Sequence, residues 1–425
     1  MSRPHLEMVC AICLIPLNTL GDTYIHPLGS RTGHPHQPDP VPVACLDTVR
    51  RTCDFCSDPY PIWTFTGGDL SAVITSAEGG LIQNYGDRWA ACAACYQDIV
   101  RDRTDRLAER ALRTLPALDP AAHTRVTELH QSFLSALQPG RTLITTTRWP
   151  TSPVTARELP KIRDRLIRLL RSPITLPAHL ALDREHLADQ IEQCRLYWVD
   201  PTFTELATTA AVSLPTTRLH PDLIPCAAAI LAWATPVGDT AAITWTMHDT
   251  AIRLVRYRNI GNGLDGQLLQ QVREDVGSIA PIGTHTLPPG STIDPATNSD
   301  LATLLATWLL MGQPAAETPA AEIDKPTRRS YTRAHRPLPD VRLVRLHTAR
   351  HNGPGTPRRE TPDDRNTRTE RVWVTGHWRN QPYGPGRSLR RPVYIHPFLR
   401  GPDDAPIKLS TTVRMLTEPT QKRPG

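Results

Sequence analysis

Three CxxC pairs, Cys10/Cys13, Cys53/Cys56 and Cys92/Cys95, stand within the first 95 residues and constrain this chain more than any other feature. Two thiolates two residues apart can grip one tetrahedral ion. In a reducing compartment such pairs signal metal more often than disulfide. The first 20 residues carry an early arginine, Glu7 and prolines in place of the apolar stretch and cleavage site of a secretory leader. The longest apolar runs, residues 226–234 and 301–311, are too short to span a bilayer. The chain is therefore expected in the cytoplasm, without a membrane partner and with its cysteines reduced.

The second and third pairs form the clearer set. Cys53-Asp54-Phe55-Cys56 reads as a knuckle, and residues 61–84 alternate strand-like runs with glycine turns as a β-hairpin would. Trp89-Ala90-Ala91-Cys92-Ala93-Ala94-Cys95 then opens a helical stretch to about residue 115, with its two cysteines on one face of the first turn. The positive end of that helix favours thiolates. Knuckle, hairpin and a helix that supplies two ligands make a treble clef. Four cysteines fill a zinc shell and leave no open place, so Cys53, Cys56, Cys92 and Cys95 are expected to hold a structural Zn2+.

A second Zn2+ is expected at Cys10 and Cys13, for which no further CxxC completes the shell. His34 and His36, on a proline-stiffened loop, are the first candidates for the open places. His26 and Cys45 are the alternatives, and a cross-brace joining Cys10/Cys13 to Cys53/Cys56 around one ion is another. Cys194 and Cys226 fall within apolar patterns and are expected as buried thiols.

Beyond the cysteines the chain reads as multidomain α+β. Residues 1–115 make the zinc module. Residues 116–312 are expected to be mainly helical, with amphipathic stretches at 121–137, 158–170, 182–198, 222–234, 248–258 and 301–311. Residues 313–340, rich in Pro, Ala and charge, read as a linker. Residues 341–418 read as a small basic antiparallel β domain, with strands at 341–347, 371–378, 392–398 and 411–416.

Charge is divided unevenly along the chain. Residues 326–425 carry a net charge of +13, and the first 325 residues carry −7. A basic C-terminal part on an acidic body is an electrostatic footprint for a polyanion. Arg371, Arg379, Arg387, Arg390 and Arg391 interleave there with Trp373, Trp378, Tyr383, Tyr394 and Phe398. Arginine forks suit phosphate, so these five arginines are the candidate contacts to DNA or RNA. Trp373 and Tyr394 are expected in the core of the sheet.

The run Cys53–Pro59, Ile62-Trp63-Thr64-Phe65 and Trp89–Cys95 resembles a zinc-finger segment of uncharacterised bacterial proteins. The stretches 376–384, 390–395 and Gly401-Pro402-Asp403 resemble a segment of hypothetical proteins from actinobacteria, their phages and plasmids. The resemblance implies a setting and no mechanism.

No P-loop, dinucleotide fingerprint or nucleophile elbow is present. Knuckle, hairpin and histidine also build HNH-type nucleases. Here Ile25 occupies the place of the acidic residue before the histidine, and the helix after Trp89 offers no histidine ligand. The expected function is thus a non-enzymatic, zinc-stabilised, nucleic-acid-associated protein. A protein-interaction scaffold with a protein partner is the alternative, and a metal-dependent nuclease a more distant one.

Overall fold

The computed structural model of the chain describes residues 7–20, 23–26, 35–76, 79–114, 120–248, 251–297, 299–346, 371–374, 376–396 and 398–402. The fold is mixed α+β, and it separates into two compact units interleaved in sequence. One holds residues 1–204, 219–291 and 317–345; the other holds 205–218, 292–316 and 346–425. The boundaries expected at 115, 312 and 340 do not coincide with this division.

The first unit is built on a seven-stranded mixed sheet. Its order is Ile279–Leu287, Ala251–Asn259, Thr240–His248, Ala228–Val237, Arg195–Val199, Val341–Leu346 and, at the edge, Ala316–Glu317. The first four strands form an antiparallel meander. Arg195–Val199 runs parallel to Ala228–Val237 on one side and to Val341–Leu346 on the other.

This sheet corrects the helical reading of the middle of the chain. Residues 222–234 and 248–258, expected as helices, lie largely in the strands Ala228–Val237 and Ala251–Asn259. Ile230, Leu231, Ala232 and Trp233 are all buried, so both faces of that strand are covered. A strand covered on both faces has no polar alternation and reads as an unbroken apolar run, which periodicity cannot tell from a helix. The stretch 182–198 splits for a related reason. Arg184–Glu192 is a helix capped by Asp183, with Leu187 and Ile191 buried, and the chain then turns into the strand Arg195–Val199.

Other helices stand near where the apolar spacing places them, at Pro120–Ser135, Leu159–Leu170 and Ser299–Met311. The expected linker is not an open linker. It carries the helix Lys325–Arg333, whose Tyr331 is buried and donates to Asp164 at 2.7 Å. Val341–Leu346, expected to open the C-terminal β domain, joins the seven-stranded sheet instead.

One continuous core runs from Cys53, Phe55, Trp63 and Trp89 through Leu159, Leu166 and Ile191 to Ile230, Tyr257 and Val341. Two buried arginines of the meander fasten the cysteine-rich segment to the sheet. Arg256 makes a two-pronged pair with Asp47 at 2.9 and 2.9 Å. Arg258 donates to the Thr48 hydroxyl at 2.8 Å, to Asp239 at 3.0 Å and to the Thr147 carbonyl at 3.1 Å. Such forks hold planar partners in one orientation.

The second unit contains the helix Ser299–Met311, buried from Leu301 to Leu310. It also contains two antiparallel pairs, Val372–Val374 with Phe398–Arg400 and His377–Tyr383 with Leu389–Ile395. Residues 411–416, expected as a strand, lie outside the described residues.

Candidate metal centres

Both knuckles are built by the same backbone turn. In the first, the Leu14 N–H donates to the Cys10 carbonyl at 2.8 Å and the Cys10 N–H to the Ile15 carbonyl at 3.0 Å. In the second, Ser57 N–H reaches the Cys53 carbonyl at 2.8 Å and Cys53 N–H the Asp58 carbonyl at 2.8 Å. The residue after the second cysteine takes a left-handed conformation in each case, with φ of 61° at Leu14 and 60° at Ser57. The turn reverses the chain at once, so both sulfurs of a pair face one point.

Cys53, Cys56, Cys92 and Cys95 converge with every sulfur within 4.8 Å of the others, and all four are buried. The knuckle is followed by the long hairpin Pro61–Ser76 and Gly79–Cys92, then by the helix Ala93–Val100. Cys92 is the N-cap of that helix, and its sulfur accepts from the Cys95 N–H at 3.5 Å. Asp54 ties knuckle to hairpin by accepting from the Ala90 N–H at 2.6 Å while its own N–H donates to the Ala90 carbonyl at 2.8 Å.

The Cys56 and Cys92 sulfurs are 3.7 Å apart. A tetrahedral zinc with bonds of about 2.3 Å to sulfur sets sulfur–sulfur edges of about 3.8 Å, so the spacing fits the ion. The thiols also polarise one another. Hydrogen bonding from Cys53 draws Cys56 and Cys92 toward the thiolate; burial holds Cys53 up, and its neighbours' sulfurs hold Cys95 up.

The first centre gathers Cys10, Cys13, His26 and His36, again within 4.8 Å. The Cys10 sulfur lies 3.4 Å from His36 Nε2, and the Cys13 sulfur 3.4 Å from His26 Nε2. Zinc bonds of about 2.3 Å to sulfur and about 2.0 Å to nitrogen give edges of about 3.5 Å. Burial opposes ionisation of Cys10, but the Asp39, Cys13 and Ile12 amides aimed at its sulfur outweigh it and draw its pKa down to about 6. This group is more open than the other: Cys10 is buried, and Cys13, His26 and His36 are half-buried.

The two groups are separate in sequence and space, so the cross-brace is not formed. His26, the alternative ligand, stands in the group beside His36, in the place expected of His34. His34 lies outside the described residues. Cys45 is exposed in the short turn Val43–Cys45 and belongs to neither group. Cys194 is buried as expected, and Cys226 is only half-buried. The two centres are joined by an ion pair between Arg51 and Glu7 and by the Arg50 N–H, which donates to the Leu14 carbonyl at 2.6 Å. Nothing in the spacing of the cysteines points to these links.

The candidate nucleic-acid contacts fall in the second unit. Arg379, Arg387, Arg390 and Arg391 are exposed on or beside the hairpin His377–Tyr383 and Leu389–Ile395, and Arg371 is half-buried before the strand Val372–Val374. Tyr394 is buried as expected; the side chain of Trp373 lies outside the described residues. Among the described residues, no helix is long and apolar enough to cross a membrane. No protein-family model, curated protein or solved structure matches the chain, so the resemblance of its cysteine and arginine segments rests on those residues alone.

Proposed function

We propose that this is a non-enzymatic nucleic-acid-associated protein with two structural zinc ions, one held by Cys53, Cys56, Cys92 and Cys95 and one by Cys10, Cys13, His26 and His36. Four protein ligands complete each shell and leave no place for a catalytic water. The zinc ions order a cysteine-rich segment in treble-clef form, and the arginine-rich hairpin meets the phosphate backbone.

One observation carries the reading. Residues 371–402 contain six arginines and no aspartate, glutamate or lysine. Among the described residues, Arg379, Arg387, Arg390 and Arg391 have no carboxylate partner. By contrast, Arg336, Arg342 and Arg345 pair with Asp164, Asp340 and Glu317. The hairpin therefore presents four arginines with no acidic residue near them in sequence, a local concentration of positive charge open to a partner.

Gel-shift titration of the full chain with duplex and single-stranded probes tests this. Two to four arginine–phosphate contacts correspond to roughly a 10- to 100-fold loss of duplex affinity between 50 and 200 mM salt. A shift with that salt dependence is expected, with the probe intact in magnesium. Absence of any shift at 50 mM salt, or cleavage of the probe, overturns the proposal.

A further inference from the structure

The hairpin His377–Tyr383 and Leu389–Ile395 has two unlike faces. Its register pairs Trp378 with Tyr394, Asn380 with Pro392 and Pro382 with Arg390 on one side. On the other side His377 faces Ile395, Arg379 faces Val393, Gln381 faces Arg391 and Tyr383 faces Leu389. The first side is covered toward its Trp378–Tyr394 end, while Asn380 and Arg390 are exposed. Tyr394 is 5% exposed and Pro392 is buried. The Trp378 indole donates to the Ala210 carbonyl at 2.8 Å and meets Tyr394 edge-on at 5.2 Å. The Gln313 amide, turned to match, donates to the Tyr394 carbonyl at 3.0 Å and accepts from its N–H at 2.9 Å, which caps the ribbon's edge at that residue.

The second side presents Arg379, Gln381 and Arg391, all exposed. We infer that this face enters the major groove of duplex DNA and reads base edges through Arg379, Gln381 and Arg391. The inference rests on the nucleic-acid reading above and names its partner.

Three physical arguments favour duplex DNA. The first is shape: a two-stranded ribbon is one of the two elements the major groove, about 12 Å wide, admits. Seven residues per strand at about 3.3 Å each give a ribbon of roughly 23 Å, long enough to follow several base pairs. The second is chemistry: arginine forks match the O6 and N7 acceptors of guanine, and a glutamine amide matches N6 and N7 of adenine. Gln381 stands directly across from Arg391 and two residues from Arg379, so the three side chains form one contiguous reading patch.

The third argument concerns single strands, which are gripped by stacking bases on open aromatic faces. In this hairpin Trp378 and Tyr394 lie on the covered side, and the Arg391 guanidinium sits over the Tyr383 ring at 5.4 Å. The ring thereby steadies the arginine. Arg387, in the turn, and Arg390, on the opposite side from the patch, are left to meet phosphate.

The test uses the full, zinc-loaded chain. Binding sites are selected from a pool of random 20-base-pair duplexes. The selected sequence is then compared as DNA duplex, as each single strand and as RNA duplex, whose narrow major groove excludes a ribbon. A preference at a few adjacent base pairs is expected, with the DNA duplex bound about tenfold or more tighter than the other forms. Arg379→Ala, Gln381→Ala and Arg391→Ala should each lose roughly tenfold on the selected site and relax its preference. Arg387→Ala should weaken selected and unselected duplexes alike, and Arg329→Ala, an exposed arginine of the first unit, should change neither. Equal binding to every form without base preference overturns the groove inference and leaves the nucleic-acid reading standing. No binding overturns both.

Discussion

Leu14 and Ser57 occupy the same position in their knuckles and share a conformation that L-residues avoid, with φ of 61° and 60°. The turn there aims two sulfurs at one point, and the side chain is secondary. His130 is a different kind of residue-scale constraint. It is 2% exposed, packed against Phe55 at 5.2 Å and Trp89 at 6.2 Å, and its Nδ1 has no hydrogen-bond partner among the described residues. Burial pushes its pKa down to about 4. The folded imidazole is thus neutral, while the unfolded one takes up a proton below its ordinary value. Between those two values the unfolded state binds more protons, so this contribution to stability is complete above about pH 6.5 and falls as pH falls toward 4. A loss of about 2 kcal/mol between pH 7 and pH 5 is expected. Urea unfolding of the zinc-loaded protein and of His130→Phe at both pH values measures it. The variant should lose less stability on acidification than the parent, and parallel losses would dismiss His130 as the source.

At the scale of elements, the long hairpin Pro61–Ser76 and Gly79–Cys92 connects the two halves of the four-cysteine centre and is clamped by the helix Pro120–Ser135. Contact is close because Gly67 has no side chain: a Cβ there would stand 2.6 Å from the Phe133 ring. Phe133 in turn stacks on Trp89 at 4.5 Å. Gly67→Ala should push Phe133 off Trp89 and cost about 1–3 kcal/mol, read as a lower urea midpoint at an unchanged slope. A neutral result would mean that the helix slides without loss. The hairpin was legible because its turn glycines and alternating strands fall between two cysteine pairs. The strands Ala228–Val237 and Ala251–Asn259 were not: burial on both faces leaves the first an alanine-rich run that suits a helix equally well, and sets buried arginines among the apolar residues of the second. Tertiary packing, not local preference, decides those residues.

Over the whole molecule, the parts legible in sequence are those whose partners lie near one another in the chain. The four-cysteine group follows from two local CxxC turns and a hairpin. The first centre follows less completely, because its loop decides which histidines arrive, and spacing alone does not separate His26 from His34. The arginine clamps are invisible in sequence: Asp47 and Arg256 are 209 residues apart, and Thr48 and Arg258 are 210 apart. These clamps and the continuous core make the metal centres part of the first unit's stability. A metal that binds only the folded state adds its binding free energy to folding, so chelation should lower that unit's resistance to urea. The two ions should leave at different rates. A chelator reaches an ion through exposed ligands, and three of the four ligands in the first group are half-buried while all four in the second are buried. Mixing the zinc-loaded protein with a colorimetric chelator should release two ions per chain in two phases. Cys13→Ala should abolish the fast phase, and Cys95→Ala the slow one. A single phase that both variants slow or abolish together would show the two centres to be one cooperative unit, coupled through Arg51, Glu7 and the backbone bond from Arg50 to Leu14.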